Sequence, residues 1–418
     1  MSNRADEGRD AVVVGAGIVG ISAAINLLAK GFRVRLMDPE PPGQGTSFGN
    51  AGVISPWSCI PQSMPGVLTK VPKWLLDPLG PVSLRWAYVP QLIPWLVRFI
   101  RAGQADRLPA IADAMLALNR WNADLYREML DGTGHEGLVR DSLYLHIYRS
   151  PGGADLSRPE WSMRSERGVP VEAISGDELR EIEPDLAPDY QSAAVIRQQA
   201  RTVDPGAIGR VLTEDFQRRG GEVIEARTTR IRPQPDGVVR LDSSAGEQVA
   251  DLVVVSAGAW TRDLVKPLGV KLPLEAERGY HLVFPEPGVV ANNTIMEADA
   301  KFVANSMSMG MRMAGTGEFA GIDAPPDYRR ATMFETLGKR MFPKLNTADA
   351  EPWMGRRPSF PDSLPVIGPL PGYPNIIVAA GHGHLGLTGA PMTGRLVGQM
   401  AAGETPNIDM APYRADRF

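Results

Sequence analysis

The chain has 418 residues, more than one hydrophobic core usually organises, so it holds two domains or one large α/β unit with an inserted layer. Hydrophobic residues make up 43% and charged residues 22%, ordinary values for a globular chain, which excludes a disordered one. A net charge of -4 without any lysine or arginine block excludes nucleic acid as a partner; the single cysteine, Cys59, excludes an internal disulfide and a cysteine metal cluster, and fits a reducing, cytoplasmic setting.

The stretch Ala11–Ala29 is uncharged throughout. Gly15, Gly17 and Gly20 interrupt it, and Asp6, Glu7 and Asp10 precede it with the wrong sign for a leader, so it reads as a buried strand and helix rather than a signal or a membrane span. Val12 to Val14 form a strand running into Gly15-Ala16-Gly17-Ile18-Val19-Gly20, a helix follows to Ala29, and Arg33–Asp38 is a second strand. In such a unit the first glycine permits a tight turn, the second lets backbone approach a pyrophosphate, and the third lets helix pack on strand. Amides at the helix start, Ile18 and Val19, attract phosphate charge. Asp38, which ends the second strand, is placed to accept hydrogen bonds from a ribose. The unit predicts a bound dinucleotide.

Trp74–Ile100 is apolar but broken by Pro78, Pro81, Pro90 and Pro94 and by Asp77, Arg85 and Arg98, so it cannot cross a bilayer uninterrupted. Trp74, Trp86, Tyr88 and Trp95, flanked by Lys70, Lys73, Arg98 and Arg101, have the composition of a peripheral membrane contact; a buried helix pair is the other reading. Further on, apolar spacing predicts helices at Asp106–Leu130, Pro205–Arg219, Arg329–Phe342 and Thr388–Ala402. Strands are expected at Gly221–Ala226, Val238–Leu241, Leu252–Ser256 and Ile376–Ala379. The strand from Leu252 ends in Ala257 and Gly258, small residues suited to backbone passing close to a dinucleotide. Tyr280–Gly317, rich in β-formers, methionine and glycine, reads as a mostly antiparallel sheet. The expected fold is α/β, a Rossmann-like dinucleotide domain with a mostly antiparallel substrate domain, discontinuous in sequence: 1–75, 151–265 and 351–418 for the first, 76–150 and 266–350 for the second.

Near the C-terminus a strand leads into Gly381-His382-Gly383-His384-Leu385-Gly386 and a long helix. Too little chain follows for a second nucleotide unit, so this turn serves the first. A helix tip bare of side chains can sit against a flat electron-accepting ring and stabilise negative charge there, by about 0.3 to 1 kcal/mol and about 2 when partly buried. A reduced flavin carries that charge, and no complete unit remains for a nicotinamide, so the dinucleotide reads as FAD. His382 and His384 stand two apart with only His135, His146 and His281 elsewhere and no acidic cluster, which does not make a metal site.

These features resemble the D-amino acid oxidase superfamily, and within it the FAD-containing small subunit of bacterial D-amino acid dehydrogenases and their hydroxyproline-dehydrogenase relatives. The likeness spans nearly all of the chain. Its marks are the N-terminal glycine unit, Gly45-Thr-Ser-Phe-Gly-Asn-Ala-Gly-Val-Ile-Ser55, Leu76-Asp-Pro-Leu-Gly-Pro81 with Trp95-Leu-Val-Arg-Phe-Ile100, Gly310-Met-Arg-Met-Ala-Gly-Thr316, Trp353 to Gly368, and Gly381 to Gly386. The resemblance implies that Thr46, Ser47, Gly49, Asn50, Ala51, Gly52 and Ile54 wrap the pyrophosphate and isoalloxazine, and that Gly381, His382, Gly383, His384, Leu385 and Gly386 meet the ring. It implies non-covalent FAD, since Ser47 to Asn50 stand where covalent relatives carry histidine or cysteine; nearby Cys59 is the exception to weigh. Arg357 matches the family's Gly-x-Arg-Pro arginine, a bidentate clamp for a substrate carboxylate. Arg356 departs from the usual apolar neighbour, and a structural salt bridge is the alternative role for Arg357. Tyr280 and His281, in Arg278-Gly-Tyr-His281, and Arg312 are the other candidates for substrate contact; for Tyr280 and His281 the alternative is a packing role.

The implied activity is oxidation of a D-amino acid or hydroxy-D-proline by hydride transfer from the α-carbon to flavin N5, giving an imine and then a keto acid. A quinone or oxygen would accept the electrons, and association with the inner face of a membrane or into an oligomer is compatible. The alternatives are oxidative demethylation of an N-methyl amino acid such as sarcosine, and an FAD-bearing subunit without turnover.

Overall fold

A computed structural model describes residues 8–418. Asp6 and Glu7, and with them the start of the 1–75 segment, lie outside the described residues. The first sheet has six strands in the order Val366–Leu370, Tyr373–Ala380, Leu252–Val255, Asp10–Val14, Arg33–Asp38 and Glu222–Glu225. All neighbours are parallel except the first two. Burial on both faces explains why Ala11–Val14 and Leu252–Val255 are apolar without alternation. Ala11 and Val13 pack with Ile21, Ile208 and Val397 of the helices Ile18–Ala29, Pro205–Arg218 and Gly386–Ala401. Val12 and Val14 pack with Ile231, Val239 and Leu241 of a three-stranded antiparallel sheet.

The second sheet has ten strands. Glu351–Ser359, Glu275–Phe284, Gly310–Phe319, Phe302–Met307 and Thr294–Glu297 pair antiparallel in that order. The sheet is mixed, however: Thr294–Glu297 runs parallel to Val139–Tyr148, and Val82–Leu84 parallel to Gly310–Phe319. Val171–Ser175 and Ser192–Thr202, which sequence placed with the nucleotide unit, pair into this sheet, because Val139 to Tyr148 register along Thr202 to Ser192. Glu351–Ser359 likewise leaves the 351–418 segment for the second sheet, registered on Glu275 to Val283.

The helix expected over Asp106–Leu130 is two helices, Leu108–Asn119 and Asn122–Leu130. The buried Asn122 causes the break: its Nδ2 donates to the carbonyls of Leu118 and Asn119, and its Oδ1 accepts from the Met392 amide at 2.7 Å. In the aromatic segment, Val67–Leu76 and Val89–Ala102 are helices. Trp95 is buried, with Nε1 on the Ser359 carbonyl at 3.1 Å, whereas Trp86 is 73% exposed. One side of the segment packs inward and the other stays bare.

The helices Ile18–Ala29 and Gly386–Ala401 cross so closely that a Cβ on Gly394 would lie 2.4 Å from the Ser22 carbonyl oxygen. Alanine gains about 1 kcal/mol of helix propensity over glycine, but overpacking against rigid backbone costs about 1 to 3 kcal/mol. Gly394→Ala is therefore expected to lower the thermal midpoint; an unchanged or raised midpoint in calorimetry contradicts this packing.

Candidate functional site

A cavity of about 1160 Å³ opens where the carboxyl ends of the parallel strands meet the second sheet. Ligand pockets usually measure about 300 to 1,000 Å³, so this one has room for a large cofactor and a small molecule together. At one end lie Gly15, Gly17, Ile18, Val19 and Asp38, with Ala257 and Gly258. Gly15 sits at φ +105°, and a Cβ there would come 2.4 Å from the Ser256 carbonyl oxygen; Gly17 has only Ser47 Oγ near its missing Cβ, at 3.4 Å. The turn is pressed against the neighbouring strand while its middle faces the cavity. Gly20 does not line the cavity: a Cβ there would meet the Gly15 carbonyl oxygen at 1.8 Å, so it serves packing alone. Asp38 Oδ2 accepts from the Ala16 amide at 2.7 Å and Oδ1 from the Glu40 amide at 3.0 Å. Burial pushes its carboxyl up, opposed by those two amides.

The loop after the second strand forms the next stretch of wall, with Thr46, Ser47, Gly49, Asn50 and Ala51 lining. Ser47 Oγ accepts from the Ile18 amide at 3.0 Å, and Thr46 Oγ1 donates to the Arg356 carbonyl at 3.0 Å. Gly52 and Ile54 stand behind the wall: Gly52, at φ +78°, leaves no room for a Cβ beside the Thr202 carbonyl, and Ile54 is buried on its pairing with Ala200.

Two of the candidates for substrate contact support this loop. Arg312 Nη1 donates to the carbonyls of Phe48 and Asn50, both at 2.8 Å, and His281 Nδ1 donates to the Gly49 carbonyl at 3.0 Å. Neither lines the cavity. Burial lowers the Arg312 guanidinium to about 10, which leaves it charged at neutral pH. Tyr280 reaches the cavity, but its hydroxyl donates to Glu318 Oε2 at 2.6 Å and accepts from the Asp327 amide, and burial with Glu318 pushes it up to about 12. It is a packed core residue with its polar end already committed.

Arg357 does line the cavity. Its Nη1 donates to Glu277 Oε1 and to the Thr316 carbonyl, both at 2.8 Å, and its Nη2 to the Gly315 carbonyl at 3.0 Å. Glu277, which sequence spacing did not single out, lines the cavity as well, and its Oε2 accepts from Ser359 Oγ at 3.0 Å. Burial pushes the Glu277 carboxyl up, but the Arg357 guanidinium, His384 and the Ser359 hydroxyl together outweigh it and hold the group below its usual range. Gln62 Nε2 donates to His384 Nδ1 at 3.2 Å beside them. Gly381, Gly383, His384, Leu385 and Gly386 close this side of the cavity with His382. His382 is buried: Thr393 Oγ1 donates to the Gly389 carbonyl, so His382 Nε2 donates to Thr393 Oγ1 at 2.9 Å. Trp353 also lines the cavity, stacked on His281 at 4.9 Å and so close to Gly49 that a Cβ there would overlap the indole. Trp74, Phe99, Tyr144, Met296 and Phe319 add apolar surface to the wall, and Lys301, Arg356, Arg227 and Asp263 add charged groups to it. Cys59 is fully buried outside the cavity.

His281 and His382 are both held at about 3 by burial, against an unfolded value of about 6.5. The unfolded chain therefore binds protons that the folded chain refuses, and stability falls as pH drops from about 6.5 toward 3, by up to about 1.4 kcal/mol per pH unit for each imidazole. Glu183, held up to about 7 by burial, runs the other way, so the test is a difference. Wild type and His382→Gln are expected to converge in stability as pH is lowered from 7 to 5; parallel curves in denaturant titrations contradict a neutral buried His382.

Residues 10–400 match the family model DAO, FAD dependent oxidoreductase. The chain is 38% identical to a protein named D-amino-acid oxidase from Bradyrhizobium diazoefficiens, over 99% of each chain. It is 30% identical to a D-amino acid dehydrogenase of the same organism, over 97% of this chain and 98% of the other. Among solved structures, glycine oxidase from Geobacillus kaustophilus superposes with a TM-score of 0.76 over 99% of each chain at 21% identity, which shows the shared fold. The chain belongs to the DAO family of FAD-dependent oxidoreductases, and FAD is its cofactor.

Proposed function

We propose that this enzyme oxidises the carbon–nitrogen bond of an α-amino acid, of the D-amino acid or hydroxy-D-proline type, to an imine that water carries to a keto acid or that stays cyclic for a proline. The observation that supports this reading best is the Arg357 guanidinium on the wall of the same cavity that both glycine-led turns line. The residues fit the cofactor: Gly17 leaves a cradle that a Cβ would fill, and Ser256 Oγ and Thr316 Oγ1, on lining residues, are buried with no hydrogen-bond partner among the described residues. In this reading Gly15 to Val19 hold the pyrophosphate, Asp38 the ribose, Ala257 and Gly258 the adenylate side, and the Thr46–Ala51 wall with Gly381 to Gly386 the ring. When bound, FAD supplies the two-electron acceptor. The chain's own work is to fix the carboxylate on Arg357, to present the α-carbon, and to keep water out with Trp74, Phe99, Tyr144, Met296 and Phe319. Binding is non-covalent in this reading, because Ser47 to Asn50 offer no histidine or cysteine at the family's attachment points and Cys59 is buried outside the cavity.

The yellow absorbance of the FAD-loaded protein should bleach under anaerobic conditions with a D-amino acid or hydroxy-D-proline. Bleaching by sarcosine alone would move the reading to demethylation, and no bleaching by any amine would leave an FAD-bearing subunit. Arg357→Lys keeps a charge but loses the fork, and should raise KM for the best substrate by about tenfold to a hundredfold, the loss of a charge-assisted contact of about 1.5 to 3 kcal/mol. An unchanged KM would remove Arg357 from the clamp role.

A peripheral membrane contact belongs to the same reading, with a quinone or oxygen as electron acceptor. No helix among the described residues is long and apolar enough to cross a membrane. Leu76, Trp86, Ile93, Val97 and Ile100 nevertheless stand exposed in the segment that carries Lys70, Lys73, Arg85, Arg98 and Arg101. The protein should sediment with vesicles containing anionic lipid, and Trp86→Ser should reduce the bound fraction severalfold; equal sedimentation without vesicles contradicts the contact.

A further inference from the structure

An arginine that is to hold a carboxylate normally waits with its charge unopposed. Here Arg357 already faces a buried carboxylate, Glu277, at 2.8 Å, and both residues line the cavity. A plain carboxylate arriving at Arg357 would meet that negative charge. An α-amino acid brings its own remedy, because ammonium and carboxylate share one carbon and so present adjacent charges of the two signs found on the wall. The pair is also reachable: Gly279, Gly315 and Gly317 line the cavity around it, and a Cβ on Gly279 would overlap the Arg357 guanidinium, while one on Gly317 would come 3.2 Å from Glu277 Oε1. Glu277 retains accepting capacity. A carboxylate has about four lone-pair sites, and the contacts are Arg357 on Oε1, Ser359 Oγ on Oε2 and a long one from Gln62 Nε2 at 3.5 Å.

We infer that Glu277 receives the substrate's ammonium beside the carboxylate held by Arg357 and takes one of its protons, an inference that rests on the amino-acid reading above. In this step an N–H bond breaks, an O–H bond forms on Glu277, and the electron pair stays on nitrogen as the neutral amine; no oxidant takes part. Formation of a carbon–nitrogen double bond needs that freed pair. As Arg357 turns to the substrate's carboxylate, Glu277 loses part of its cationic partner and becomes a better base at the moment the ammonium arrives. The other charged and titratable groups around Glu277 are His384, from the turn Gly383–Leu385, and Glu275 on its own strand, which accepts from the Tyr88 hydroxyl at 2.8 Å. Arg278 and Glu318 pair at 3.4 Å on the opposite face of that strand.

The test uses the FAD-loaded enzyme and two achiral probes of one shape, α-aminoisobutyrate, which has no α-hydrogen to lose, and isobutyrate, which lacks the amine. Calorimetry is expected to give a Kd for the amino acid at least about tenfold below that for the acid, the worth of one charge-assisted hydrogen bond. In Glu277→Gln the two Kd values should fall within about twofold of each other. The same variant must select free amine from solution, so its kcat/KM for the best substrate should climb about tenfold per pH unit up to the amine's own pKa, more steeply than wild type. A folded Glu277→Gln that keeps the wild-type probe preference and pH profile overturns the inference. Should that variant fail to retain FAD, Glu277→Asp serves instead: its shorter carboxylate should narrow the preference, and an unchanged ratio overturns the inference equally. If wild type shows no preference while its flavin is bleached by an amino acid, only the role of Glu277 falls; if no amino acid bleaches it, the reading beneath falls too.

Discussion

Five successive carbonyls, from Phe48 to Gly52, are held by the second sheet, and the cavity depends on that grip. Arg312 takes Phe48 and Asn50, His281 takes Gly49, Asn305 Nδ2 takes Ala51 at 2.7 Å, and the Thr202 amide takes Gly52 at 2.8 Å. A loop with five carbonyls pinned on one side has little freedom left to collapse into the space on its other side. Ser47 and Thr46 then tie its start to the Ile18 amide and to Arg356, so one segment joins both sheets. Two bare helix tips and one arginine face each other across the space that this loop keeps open.

The electrostatics follow from the same arrangement. Charges that serve the scaffold are spent within it: Arg312 on backbone carbonyls, Arg278 on Glu318 and the Pro325 carbonyl, Asp38 partly on the amides of the first turn. Arg357 and Glu277 are the pair that meets the cavity at its second-sheet end while each still holds the other. A wall carrying adjacent charges of both signs, framed by glycines and apolar rings, suits a small zwitterion better than a simple acid or amine.

Much of this was legible in the chain. The strand, glycine turn, helix and terminal acid of the first sheet stand where spacing put them, because parallel strands buried on both faces leave uninterrupted apolar runs. The second sheet was harder to read. Val139–Tyr148 and Ser192–Thr202 mix Arg140, Asp141, Arg197 and Gln198 into their strands, so the apolar pattern that marks a buried strand is absent and their pairing is set by partners far away in sequence. Roles within that sheet depend on its pleat. Glu277, Gly279 and Tyr280 line the cavity while Arg278 and His281 do not, because the register shifts between Arg278 and Tyr280, so simple alternation along the strand does not single out Glu277. Arg312 and His281 carry the right chemistry for a ligand but sit one layer behind it, a distinction that one-dimensional spacing does not contain.

The most direct measurement is a crystal structure of the FAD-loaded protein with α-aminoisobutyrate bound. The account predicts the probe's carboxylate on the Arg357 guanidinium, its amine on Glu277, and the cofactor's pyrophosphate at the Ile18 and Val19 amides. A probe bound elsewhere, with Arg357 still wholly engaged by Glu277, Thr316 and Gly315, would contradict it.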